Sequence, residues 1–83
     1  MTQKFKIVRV DWIDSTTATE WETLDYWDDA EYLHIKSIGY EIKRTKEYIV
    51  IALSVGQEPD QACGAMTIPM CSVQSIKYLK GIQ

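Results

Sequence analysis

Tyr48-Ile49-Val50-Ile51-Ala52-Leu53-Ser54-Val55 is the stretch on which the fold turns. Its unbroken apolar part is far short of the roughly 20 residues that cross a bilayer. β-branched and aromatic side chains of this kind favour a pleated strand, and a run of this length bounded by turn residues reads as a strand buried on both faces. Before it, Arg44-Thr45-Lys46-Glu47 is a polar break of hairpin length. The residues upstream of that break also alternate, with Leu33 and Ile35 on one face and Ile38, Tyr40 and Ile42 on the other. The change of phase beside Gly39 calls for a β-bulge or a sharp bend, the device that lets a small sheet curl. The two segments therefore form an antiparallel hairpin.

Lys4 to Asp14 carries Val8, Val10 and Trp12 on one face and Ile7, Arg9 and Asp11 on the other, the period of a half-buried first strand. Downstream, Gly56 to Gly64 with Pro59 and Asp60 reads as a loop, and Ala65 to Ile68 as a short strand stopped by Pro69. After a tight turn through Met70 to Ser72, the residues Val73, Ile76 and Leu79 anchor a last strand or a single helical turn. Five short strands in antiparallel succession are too few for a sandwich and enough for a small barrel around one core. The expected fold is mainly β, a five-stranded SH3-like barrel with one short acidic helix after the first strand.

That helix is expected between Thr19 and Ala30. Thr19 and Glu22 match a capping box, and Trp21, Leu24 and Trp27 recur at every third position to form an apolar stripe. Acids in the last turn oppose the helix dipole and end it near Asp29. The stripe is expected to dock as a lid over the open end of the barrel.

At 83 residues there is room for one domain and one core. A chain this short is marginally stable alone, so a homo-oligomer is expected. The net charge of -3 conceals a block: Asp11 to Glu31 holds eight acids and no base, while three bases precede it and six bases against four acids follow. Such a block attracts a basic partner and repels a phosphate backbone. Two surfaces are therefore candidate binding sites. Trp21, Asp25, Trp27, Asp28 and Asp29 would meet a basic protein; Lys43, Arg44 and Lys46 would meet an anion such as a nucleotide or RNA.

Catalytic constellations are missing from the sequence. The single histidine, His34, lies in a strand, the four glycines are scattered, and Cys63, Cys71 and His34 lack the paired spacings of zinc ligands. No enzyme activity, cofactor or metal is expected. The basic first ten residues lack the apolar block of a secretory leader, and two cysteines are too few for a disulfide scaffold. A cytoplasmic protein with reduced thiols is the expectation.

From Ile42 to Leu79 the chain resembles the Sm-like family. A bent strand leads through a polar turn to Tyr48-Ile49-Val50-Ile51-Ala52-Leu53, and a variable loop is followed by Met66-Thr67-Ile68-Pro69 and Val73-Gln74-Ser75-Ile76. The resemblance implies a five-stranded barrel, rings made by pairing edge strands, and RNA or nucleotide binding. Val10-Asp11-Trp12-Ile13-Asp14-Ser15 and Met66-Thr67-Ile68-Pro69 also look like a group of small phage proteins of similar length. Together these imply a non-enzymatic phage-type binding protein, an oligomeric barrel in the host cytoplasm that captures a host protein or a small nucleotide ligand; an Sm-like RNA-binding ring is the alternative.

Overall fold

A computed structural model describes residues 5–57 and 60–80. Five strands, β1 (Ile7–Asp14), β2 (Leu33–Arg44), β3 (Tyr48–Gln57), β4 (Asp60–Pro69) and β5 (Val73–Leu79), form one antiparallel sheet in the order β4-β3-β2-β1-β5.

The first strand behaves as its alternation requires. Val8 and Val10 are fully buried, Trp12 packs against them, and the Trp12 indole N–H donates to Ser37 Oγ at 3.0 Å. Ile49, Ile51 and Ile68 complete the cluster, with Met70, Val73 and Ile76 at its margin. Burying each such aliphatic side chain contributes about 1.5–3 kcal/mol. The core is small and lies on one face of the sheet.

The long strand β2 serves two neighbours in turn. Leu33 to Tyr40 pairs with β1, whereas Tyr40 to Arg44 pairs with β3. Two local features allow the change. Gly39 sits opposite Val8, where a Cβ would come within 2.8 Å of the Ala52 carbonyl oxygen, so only glycine permits so close a crossing. The register of the β2–β3 ladder then shifts between Glu41 and Lys43, leaving Ile42 as the extra residue of a bulge. The bend expected beside Gly39 is thus real, with the extra residue three positions later. Beyond it Thr45 closes the hairpin: its N–H donates to the Tyr48 carbonyl at 2.8 Å, and its hydroxyl oxygen accepts from the N–H groups of Glu47 and Tyr48 at 3.1 Å.

Three expectations need correction. The sheet is not closed into a barrel, neither SH3-like nor Sm-like, because β4 and β5 remain at opposite edges with no ladder between them. They meet at the corner where Pro69 passes through the short 3-10 turn Met70–Ser72 into β5. The loop expected from Gly56 to Gly64 is largely strand instead, since β3 and β4 pair as far as Gln57 and Asp60; Pro59 lies outside the described residues.

The acidic helix is reduced to a 3-10 segment, Leu24–Asp29, with extended backbone at both caps. Thr23, not Thr19, stands at its N-cap, and its hydroxyl bonds the Asp25 carboxylate rather than a backbone amide. Six residues cannot carry the stripe, because Trp21 falls outside them. No lid forms: Trp21 is fully exposed, Leu24 is 87% exposed, and no residue of the segment is buried. Apolar spacing gave a helical pattern here, but a short segment without a surface to dock on has no tertiary packing to hold an α-helix.

Urea denaturation should separate core from loop. Ile49→Ala is expected to cost about 2–5 kcal/mol. Trp21→Ala should stay within about 0.5 kcal/mol of wild type, and a loss of about 2 kcal/mol or more at Trp21 would restore the lid.

Candidate functional site

The β1–β2 register places Asp14 opposite Leu33, so residues 15–32 project from that end of the sheet. Their backbone is tied by the Thr16 hydroxyl to the Glu31 carbonyl at 3.4 Å. Trp27 is the one partly sheltered indole of the pair; it meets Tyr26 edge to face at 4.8 Å and lines a shallow recess with Ser15, Thr16, Ala30, Glu31 and Tyr32. Asp25, Asp28 and Asp29 are exposed, and among the described residues no cation pairs with them. The five residues expected to form one surface here do share one segment, although Trp21 and Trp27 do not share a helix face.

The expected basic patch is divided. Lys43 and Arg44 are successive strand residues and point to opposite faces. The Lys43 ammonium lies 5.7 Å from the Tyr48 ring centre, while Arg44 Nη1 donates to the Tyr78 hydroxyl at 2.9 Å. Tyr78 in turn donates to Glu41 Oε1 at 2.7 Å and carries the Lys6 ammonium over its ring at 5.2 Å. Lys46 is exposed in the turn. Lys6, Glu41 and Tyr78 were not singled out from the sequence. The β1–β2 and β1–β5 pairings together bring these distant residues to one place, and no local pattern announces it.

Across the middle of β1 a second polar cluster forms. Asp11 stands opposite Lys36 of β2 and Ser75 of β5. Ser75 Oγ donates to Asp11 Oδ2 at 2.9 Å, Arg9 Nε lies 3.2 Å from Oδ1, and Lys36 Nζ 3.7 Å from Oδ1. The Ser75 hydrogen bond, reinforced by the two cations, holds the Asp11 carboxyl below its usual value. A carboxylate held in its ionised form is a clasp between three strands and a poor proton donor near neutral pH. Among the described residues no group of three or more His, Cys, Asp or Glu is placed to hold a metal ion. Cys63 and Cys71 are free and exposed.

The third surface is apolar and went unrecognised in the sequence. Ser37, Ile38, Ile51, Ala52, Leu53, Gly64 and Met66 line an open groove of 290 Å³ where β2 bends away from β3. Ile38 is 57%, Leu53 74% and Met66 43% exposed. Leu53 belongs to the run whose sequence calls for burial on both faces, and the structure leaves it largely in solvent. Gly64 helps to shape the groove: its φ of +69° suits glycine, and a Cβ there would come within 2.9 Å of the Leu53 side chain.

Comparison with protein-family models, characterised proteins and solved structures finds no match. The resemblances to the Sm-like family and to small phage proteins are therefore not upheld, and the phage-type capture of a host protein or nucleotide by an oligomeric barrel, like the RNA-binding ring, loses its ground together with the barrel itself. No helix among the described residues is long and apolar enough to cross a membrane.

Because the folded-state pKa of Asp11 is depressed, its contribution to stability is present above the unfolded carboxylate value of about 4 and is lost as pH falls through the lower folded value. Asp11→Asn should flatten this acid limb of the stability profile, measured as the denaturation midpoint between about pH 5 and 2. An unchanged limb would remove the clasp.

Proposed function

We propose that this chain works without catalysis, as a subunit of a homo-oligomer assembled through its open sheet. One observation carries the reading. The accessible surface is 7084 Å², whereas a compact monomer of this mass exposes about 5,100 Å². The excess of about 2,000 Å² is shared between the exposed residues 15–32 and the outer part of the β3–β4 hairpin, where one partner of a stable protein interface contributes roughly 800 Å². Its radius of gyration, 16.7 Å, likewise exceeds the about 12 Å of a compact domain of this length.

Two further features support assembly. Among the described residues both sheet edges, β4 and β5, present unpaired backbone groups, which attract further strands unless something covers them. Large apolar side chains, among them Ile38, Leu53 and Met66, stand open to solvent in one patch. The non-catalytic reading is supported by Asp11, whose carboxylate is engaged by Ser75, Arg9 and Lys36 in tying three strands together. Two exposed free thiols, Cys63 and Cys71, fit a reducing compartment such as the cytoplasm.

Light scattering coupled to size-exclusion chromatography tests the reading. A mass of at least two chains at micromolar concentration is expected. A single 9.6 kDa species at every concentration would refute it.

A further inference from the structure

Every residue from 14 to 34 is exposed, and the part from 14 to 32 combines two features that serve no purpose in the fold. The first is aromatic surface. Of the ten large apolar or aromatic side chains open to solvent among the described residues, five lie here, and four of those are the rings of Trp21, Tyr26, Trp27 and Tyr32. The second is uncompensated charge. Seven carboxylates stand between Asp14 and Glu31 with no Lys or Arg among them, and among the described residues none of the seven pairs with a cation. The two features meet in the recess, where Trp27 and Tyr32 share the wall with Glu31 and the hydroxyl-bearing Ser15 and Thr16.

We infer that residues 14–32 form a docking surface for a basic, arginine-bearing peptide segment of another protein. This goes beyond assembly of the chain with itself and does not depend on it. Charge complementarity selects the occupant. Carboxylates repel an anion such as a nucleic acid, and the negative faces of aromatic rings add nothing to hold one. A wholly apolar occupant would strip water from carboxylates without giving them a partner, which is costly. A cation satisfies both features at once, since ring faces and carboxylates attract it together.

Arginine fits better than lysine. Its planar guanidinium stacks on a ring while its N–H fork pairs with a carboxylate. The rings have faces to offer: Tyr26 and Trp27 meet at 85°, and an edge-to-face contact covers one of their four ring faces. A peptide fits better than a small cation, because seven carboxylates and four rings spread along one segment are more than a single cationic group can engage. Trp, Tyr and Arg are also the residues on which binding energy concentrates at protein interfaces.

The test is isothermal titration of the full chain with a short arginine–glycine peptide, its lysine–glycine counterpart and a glutamate–glycine peptide. The arginine peptide should bind several-fold more tightly than the lysine peptide, and the glutamate peptide should not bind. Trp27→Ala removes a ring and no charge; it should weaken the arginine peptide about 10-fold while the far-ultraviolet circular dichroism stays that of wild type. Changing Asp25, Asp28 and Asp29 together to Asn should also weaken binding and flatten its dependence on salt. No binding of the arginine peptide overturns the inference. So does binding that the charge change abolishes but that folded Trp27→Ala and Tyr32→Ala leave at wild-type strength, because the acidic block is then acting as a diffuse field and not as a site.

Discussion

The packing of Ile49 and Ile51 of β3 against Val8 and Val10 of β1, with Ile68 of β4 beside them, is the contact on which the rest of the molecule depends. β1 and β3 are not neighbours in the sheet; β2 lies between them. For their side chains to meet, the sheet must fold over on its own inner face. The glycine at position 39 and the bulge at Ile42 supply that fold, one by letting β2 approach Ala52 closely and the other by adding a residue to its far half. A small core results because only the first part of the β3–β4 hairpin lies under the bend.

The same bend explains why the fold stays open. β2 ends its pairing with β1 at Tyr40 and with β3 at Arg44, so the curl brings β4 and β5 together at the Met70–Ser72 corner. Past that corner the hairpin continues as an arm, and the molecule measures 59 × 24 × 22 Å. An arm with apolar side chains on its inner face and few buried contacts is stable only to the extent that something covers it. The Asp11 clasp secures the opposite part of the sheet, tying β2 and β5 to β1. The sheet is therefore tied across its middle and sparsely covered at one end.

Much of this was legible in the sequence because strand alternation is a local signal. Val8, Val10 and Trp12 declared the first strand, Thr45 to Glu47 the hairpin turn, and Gly39 the bend. What was not legible depended on distant partners. Trp21, Leu24 and Trp27 have helical spacing, but spacing does not reveal whether a surface exists to receive them, and Trp21 stands in solvent. Lys43 and Arg44 are adjacent in the chain and separated in space, since neighbours on a strand face opposite ways; Arg44 instead joins Tyr78. The apolar run Tyr48–Val55 looks uniform along its length, yet burial stops after Ala52, where the bend of β2 ends the cover. The likeness to the Sm-like family failed for a related reason. A bent strand, a turn and two short strands specify a curled sheet without specifying that it closes.

Amide hydrogen exchange at two protein concentrations tests the central claim, that the open sheet is covered by assembly with other copies of the chain. Ile49 and Ile51 should be protected at both concentrations, because their cover belongs to the same chain. Leu53, Val55, Ala62 and Met66 should gain protection at high concentration and lose it on dilution. Protection of these outer residues that does not change with concentration would contradict the account.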